Sequence, residues 1–475
     1  MRSHSSTGGG NGGFDLAVVG AGSAGFSAAI TAAEQGARVA LIGHGMIGGT
    51  CVNVGCVPSK TLIRAAESLH HAQAAARFAG IRGEARLVDW RALLAQKDEL
   101  VAGLRQAKYV DLLPKYNTIA YIEGPARLTP KGIHLNGDRL RVGKTIVASG
   151  ASPARPSIPG IESVDYLTST RALELRALPR SMLVIGGGYI GCELAQLFAR
   201  AGVQVTLVCR SRLLPKGEPE ISEALAGYLR EDGVDVRTGL VYRQIRRTES
   251  DIALEVGPNG CIETLAAAVV LAATGRQPNT SDLGLADVDV ALTESGGILV
   301  DEHLRTTNPV IYAAGDVTRR HQFVYMAAYG ARLAALNALN GDAHRYDAAA
   351  MPMVTFTDPQ VASVGVTEAA SRAAGLDVKT SLLPLDAVPR ALAARDTRGL
   401  IKLVADRATD RLLGAHILAP EGCDSVQTAA LAIKHGMTTK ELGETIFPYL
   451  TTVEGLKLAA LSFRKDVTRL SCCAG

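Results

Sequence analysis

Two pairs of cysteines stand at spacings that could do chemistry. Cys51 and Cys56 lie in GGTCVNVGCVPSK, and Cys472 and Cys473 are adjacent in the closing SCCAG. With only eight cysteines in 475 residues, a close pair reads as redox or metal chemistry rather than a secreted disulfide scaffold. Pro58 suits the first turn of a helix, so Cys56 is expected just ahead of a helix N-terminus, running on through Lys60 and Leu69, whose partial positive charge favours thiolate over thiol. Vicinal thiols on a tail of small residues can take up and release a thiophilic substrate by exchange. Soft thiolates select soft metals. The competing readings are inert packing thiols for the inner pair and an incidental pair at the end. Cys192, Cys209, Cys261 and Cys423 have no partner at informative spacing and are expected to pack.

The elements that must position the inner pair begin at residue 14. An apolar run, Phe14–Val19, leads into Gly20-Ala21-Gly22-Ser23-Ala24-Gly25, an alanine-rich helix to about Gly36, and a second strand over 38–42. That order suits a dinucleotide: Gly20 for the turn, Gly22 for close approach of a pyrophosphate, Gly25 for helix packing, and the helix N-terminus for its amides and dipole. The acid expected at the end of the second strand, where it would hold the ribose hydroxyls, is replaced by Gly43, followed by His44. Either a group from elsewhere holds the ribose or the cofactor binds less tightly; the expectation is loss of flavin on dilution and better retention in a Gly43→Glu variant. A second unit of the same kind follows: a strand over 182–185, Gly186-Gly187-Gly188-Tyr189-Ile190-Gly191, a helix with Glu193, and a strand, Gln204–Val208. Two fingerprints in one chain imply two dinucleotides side by side in a hydride relay. The second strand ends in Cys209-Arg210-Ser211-Arg212, with two guanidiniums able to clamp a 2′-phosphate, which favours NADPH over NADH; solvated surface arginines are the alternative.

The GGTCVNVGCVPSK and GGGYIGCE segments resemble those of the pyridine nucleotide-disulfide oxidoreductases. The resemblance implies FAD in the first fold, with Cys56 as the sulfur facing the flavin, Cys51 as the interchange sulfur and Lys60 near the flavin N5. Tyr189 would gate the isoalloxazine and Glu193 would pair with Lys60, although either could be an ordinary helix-packing residue. TIVASGA, residues 145–151, and LAATGRQPN, residues 271–279, resemble the family's segments at domain crossings, with Ser149 where threonine is usual; NPVIYAAGD, residues 308–316, resembles its second FAD segment. FAD would then contact Gly20, Gly22, Gly25, Gly49, Thr50, Lys60, Gly150 and Asp316, and NADPH would contact Gly186, Gly188, Tyr189, Gly191, Arg210, Arg212 and Gly275. The implied fold class is α/β, two Rossmann-like nucleotide-binding domains with a C-terminal α+β dimerisation domain. The expected layout is a tail over 1–13, an FAD domain over 14–150 and 277–345 with an NADPH domain over 151–276 inserted in it, and a dimerisation domain over 346–475. In this last segment strands are expected at 399–404 and 412–418 and a helix at 425–435.

Disulfide reductases of the family carry H-P-T-x-x-E near the C-terminus, where imidazole returns a proton to the departing thiol. The corresponding residues here run from Tyr449 to Glu454, YLTTVE. A phenol with a pKa of about 10 is a poor shuttle at neutral pH, which disfavours a thiol-protonating reaction and leaves a substrate that needs electrons and thiolate ligands. FPYLTTVEGLKLAA and SCCAG resemble the metal-reducing branch of the family. By that resemblance Hg(II), as thiol complexes, is received by Cys472 and Cys473 of the partner subunit in a homodimer and passed to Cys51 and Cys56, with Tyr109 of LRQAKY and Tyr449 of the partner subunit lining the route; both tyrosines could instead be packing residues. The rival readings are a reductase of an unknown disulfide and a flavoprotein that traps the metal without reducing it. Some members carry an N-terminal GMTCxxC metal-binding module; no such motif occurs in this sequence, whose glycine-rich first dozen residues read either as a linker left after its loss or as a disordered tail, so delivery of metal from such a module is not assumed.

Composition bounds the rest. A chain that is 47% hydrophobic with a net charge of +4 has ample core and no basic block of the kind nucleic acid requires. No apolar signal core or long uncharged stretch stands out, so no membrane association is expected and a cytoplasmic location is the default.

Overall fold

The computed structural model describes residues 13–258 and 261–466. Two compact units emerge, each assembled from separated stretches of chain. The first takes residues up to Pro58, then Asp98–Ser152 and Arg276–Asp347; the second takes Ser59–Lys97, Pro153–Gly275 and the chain from Ala348 onward.

The first unit is built on a fully parallel five-stranded sheet. From one edge to the other run Ile311–Ala313, Val142–Val147, β1 (Phe14–Val19), β2 (Val39–Gly43) and β3 (Ile119–Glu123). β1 and β2 are almost wholly buried, which explains their continuous apolar runs, since a parallel sheet is covered on both faces. α1 (Ser23–Glu34) packs with the helix Val324–Asn340, both rich in alanine so that their backbones approach closely. Two further elements bear on chemistry: α2 (Gly49–Val54) in this unit, and α3 (Cys56–Ala74), of which only the start belongs to it.

α3 opens at Cys56 itself, not after it as the position of Pro58 predicts. Pro58 becomes the third helical residue, and because the first four amides of a helix have no intrahelical acceptor, its missing N–H costs nothing there. The thiol therefore sits on the first turn of a 19-residue helix.

Among the sheets of the second unit, two differ in character. One is parallel, in the order Asp235–Arg237, Gln204–Val208, Ser181–Ile185 and Val269–Ala272. The other is antiparallel, in the order Met353–Thr355, Gln360–Gly365, Leu412–Ala419, Leu400–Asp406 and Val378–Pro384, with helices Gly422–Lys434 and Glu454–Leu461 packed on it. α4 (Trp90–Lys108) begins in this unit, where Trp90 Nε1 donates to Leu175 O at 2.6 Å. The α/β class with an α+β third portion is as the sequence predicts. Among the described residues, no helix is long and apolar enough to cross a membrane.

Candidate active site

The two glycine turns have the same backbone geometry. Gly20 has φ +124°, and a Cβ there would lie 2.2 Å from the Ala148 carbonyl oxygen; a Cβ on Gly25 would lie 1.7 Å from Gly20 O. Their counterparts repeat this, with Gly186 2.3 Å from Ala273 O and Gly191 1.8 Å from Gly186 O. Only glycine fits at any of the four. The middle glycines are different: a Cβ on Gly22 would meet only Gly49 Cα, at 3.6 Å, and one on Gly188 would meet nothing within 4 Å. Each turn thus leaves open space at its centre, before a helix whose N-cap is that same glycine and has no capping side chain. First-turn amides without a cap around an open cradle fit a pyrophosphate.

In the first unit the inner cysteines are half-buried, Cys51 on α2 and Cys56 opening α3. Asn53 braces the segment between them: its amide donates to Ile47 O at 2.9 Å and to Gly49 O at 2.8 Å, and Arg105 donates to its Oδ1 at 3.1 Å. Tyr109 lies edge-on to Phe26, with ring centroids 4.9 Å apart, and its hydroxyl is 3.3 Å from Ser23 Oγ. Burial raises its pKa, and the charges of Cys51 and Cys56 raise it further against the Ser23 hydrogen bond. The structure thus brings Tyr109 within electrostatic reach of both sulfurs as a neutral phenol.

Arg276 was legible in the sequence only as part of the GRQPN crossing. Its largely buried guanidinium contacts Thr50 Oγ1 at 3.5 Å and Ala151 O, and its Nε is 3.8 Å from Asp316 Oδ2. Burial lowers its pKa, opposed by Asp316 and Cys56, so a cation is held where a Cys56 thiolate would feel it. Asp316 is pushed up by burial and pulled down by Arg276. Thr50, Cys56, Arg276 and Asp316 therefore form one charged neighbourhood.

In the second unit Lys60 Nζ donates to Glu193 Oε2 at 2.6 Å, and the other carboxylate oxygen accepts from Phe356 N at 2.9 Å. Glu193 is buried, and Lys60 also lies 4.9 Å over the Phe356 ring. Both oxygens of the glutamate are committed to hydrogen bonds. Tyr189 is the first residue of its helix and is exposed, with its hydroxyl 3.8 Å from Met353 Sδ; burial of the rest of the ring raises its pKa. Past the Gln204–Val208 strand, Arg210 donates to Ser157 O at 3.1 Å and stacks 5.2 Å over Tyr242, while Arg212 donates to Pro215 O and Gly217 O at 3.1 and 2.8 Å. Each keeps further N–H donors for an anion. Gly275, at φ +116°, and Gly150, at φ +74°, have nothing within 4 Å of a built Cβ, which leaves space at both.

Tyr449 is exposed on the loop before the Glu454–Leu461 helix. Glu454, the acid of the H-P-T-x-x-E comparison, is buried and accepts from Leu450 N at 3.1 Å, with Leu450 at φ +60°. With no imidazole to orient, the carboxylate fixes the loop backbone instead. Cys472 and Cys473 lie outside the described residues. At Gly43, where the sequence lacks the expected acid, a Cβ would fall 2.5 Å from the hydroxyl of Tyr121.

Residues 14–332 match the family model for pyridine nucleotide-disulphide oxidoreductase, and residues 351–460 match the dimerisation domain of the same group. The chain is 47% identical over 464 residues to the mercuric reductase of Lysinibacillus sphaericus, covering 97% of this chain and 85% of that protein. It is 48% identical over 471 residues to that of Streptomyces lividans, covering 98% and 99%. Among solved structures, the Cu(II) complex of the HOCl-induced flavoprotein disulfide reductase RclA from Escherichia coli superposes with a TM-score of 0.83 at 31% identity, covering 96% of this chain and 100% of that one.

Proposed function

The chain belongs to the pyridine nucleotide-disulphide oxidoreductases, flavin-dependent oxidoreductases with a dimerisation domain, and from that premise we propose that it reduces Hg(II) to volatile Hg(0) with electrons from NADPH. The observation that carries the substrate is at Tyr449 and Glu454. The imidazole that would return a proton to a departing thiol is replaced by an exposed phenol, and the glutamate of the pattern is occupied with Leu450 N. A disulfide reductase without that base has no ready route for thiol protonation. A metal dithiolate needs none, and relatives nearly half identical carry the name mercuric reductase.

When bound, FAD and NADPH supply the two-electron transfer that takes Hg(II) to Hg(0), with NADP+ and a proton as the other products. The chain's own residues hold and orient. Gly20, Gly22 and Gly25, with Gly49, Thr50, Gly150 and Asp316, form the cradle for FAD; Gly186, Gly188, Tyr189, Gly191 and Gly275 form that for NADPH, with Arg210 and Arg212 on the 2′-phosphate. The N-terminus of α3 and the Arg276 cation favour thiolate at Cys56, so that Cys51 and Cys56 present two soft ligands to the metal. Tyr109 closes one side of the pair as a neutral group, and Glu193 keeps Lys60 in place. In a homodimer with shared sites, Cys472 and Cys473 of the partner subunit take the metal from its thiol complexes and pass it inward by ligand exchange, past Tyr449 of the partner subunit. Residues 14–150 with 277–345 serve FAD, 151–276 serve NADPH and 346–475 the dimer, and the setting is cytoplasmic.

The double variant Cys472→Ala/Cys473→Ala tests the relay. Turnover of thiol-complexed Hg(II) should fall while NADPH still bleaches the flavin at the parental rate. Parental turnover on the thiol complex would refute delivery by the tail.

A further inference from the structure

In a dinucleotide fold of this kind the ribose of the adenosine is held by an acid at the end of the second strand, and this chain has Gly43 there. The strand end is otherwise built for the purpose. Gly20 N donates to Ile42 O at 2.8 Å, which sets the start of the glycine turn against the end of β2. Gly43 O accepts from Gly124 N at 2.8 Å, and Gly43 pairs in register with Glu123 on β3.

The volume that an acidic side chain would enter is taken by Tyr121. A Cβ built on Gly43 would lie 2.5 Å from the phenol oxygen and 2.9 Å from both Tyr121 Cε2 and the Cβ of Ala21 in the glycine turn. Tyr121 stands on β3 opposite Leu41, two residues before Glu123, so that both side chains are on one face of the sheet. Its ring is packed on the first unit's core, and its hydroxyl makes no hydrogen bond to any described residue. A half-buried phenol with an uncommitted hydroxyl has one donor and an acceptor to offer. Burial, and then the charge of Glu123, raises its pKa, so it stays neutral at working pH.

We propose that the Tyr121 hydroxyl holds the adenosine ribose of the dinucleotide in the first unit, doing from β3 what an acid at the end of β2 does elsewhere. Gly43 is then the complement of Tyr121 rather than a defect: the glycine makes room for the phenol. A neutral hydroxyl in place of a carboxylate also predicts a weaker grip, which agrees with the expected loss of flavin on dilution.

The inference rests on the reading that the first unit binds FAD, and the test separates the two. Holoprotein is stripped of flavin, and the affinities for FAD and for its 2′-deoxyadenosine analogue are measured by fluorescence in the parent, Tyr121→Phe and Glu123→Gln proteins. The parent should bind FAD about tenfold more tightly than the deoxy analogue, the size of one hydrogen bond, and Tyr121→Phe should bind both alike at the weaker affinity. Gly43→Glu alone should bind FAD poorly, and Gly43→Glu/Tyr121→Val should regain it. No discrimination by the parent, discrimination that survives in Tyr121→Phe, or its loss in Glu123→Gln alone would overturn the proposal. A parent that yields no FAD on denaturation would remove the flavin reading itself, and this inference with it.

Discussion

The two nucleotide folds of this molecule share a backbone and differ in side chains. At Gly20 and Gly186 a similar positive φ and a carbonyl, of Ala148 and of Ala273 respectively, block a Cβ, and Gly25 and Gly191 are pressed almost equally close to their own turns. Where the second strands end, the likeness stops. One has Gly43 with Tyr121 folded over it; the other has Arg210 and Arg212, each pinned by backbone carbonyls with donors to spare. Pyrophosphate recognition is therefore a matter of backbone geometry, and choice among dinucleotides a matter of what stands a few residues further on.

The most severe way to break the likeness is to fill a turn. Gly25→Val and Gly191→Val each place a Cβ inside a carbonyl contact, and each should lower affinity for its own dinucleotide by about a hundredfold or more, as strained sites of this kind cost several kcal/mol. The two should fail differently. Gly25→Val should purify colourless, while Gly191→Val should keep its flavin yet resist reduction by NADPH in stopped flow. Next in size, Glu193→Gln leaves Lys60 without its ion pair, and reduction of the flavin by NADPH should slow by about 10- to 100-fold, since removing the buried partner of a part-buried pair is costly. A rate within twofold of the parent would mean the pair is structural only. Replacing both Arg210 and Arg212 by alanine should cut kcat/KM for NADPH by about tenfold or more and leave NADH nearly untouched; an unchanged ratio would return both arginines to the solvated surface.

The smallest effect concerns acid. Asp396 in the second unit is pushed up by burial but more strongly pulled down by Arg398 and Arg77, to about 2 from an ordinary 3.8. A depressed folded pKa stabilises above the unfolded value, and that contribution drains away as pH falls from 3.8 toward 2. Asp316 in the first unit is raised by burial, so protonating it favours the folded state and works the other way. Without cofactors, hydrogen exchange on acidification below pH 3.8 should loosen the second unit before the first.

What the sequence disclosed and what it hid follow from range. The strands Phe14–Val19 and Gln204–Val208 and both glycine turns were legible because each is a local pattern that physical chemistry ties to one backbone form. Cys56 at the head of α3, rather than just before it, was missed by a residue or so because proline is tolerated anywhere in the first turn. Tyr121 was invisible: it meets Gly43 only through the register of β2 and β3, which no short-range pattern encodes. Arg276 was hidden in the same way, since only the fold sets it beside Asp316 and in reach of Cys56. The absence of an acid at residue 43 was plain in the sequence, but what took its place was not.

In the proposed reaction electrons from NADPH end on mercury. It is tested most directly by anaerobic turnover with a thiol-complexed Hg(II) salt, counting NADPH oxidised and mercury released as vapour from one sample. One Hg(0) is expected for each NADPH, and no vapour when Cys51 and Cys56 are both replaced by alanine. Steady NADPH oxidation with a disulfide and none with Hg(II), or mercury bound tightly and never released as vapour, would contradict it.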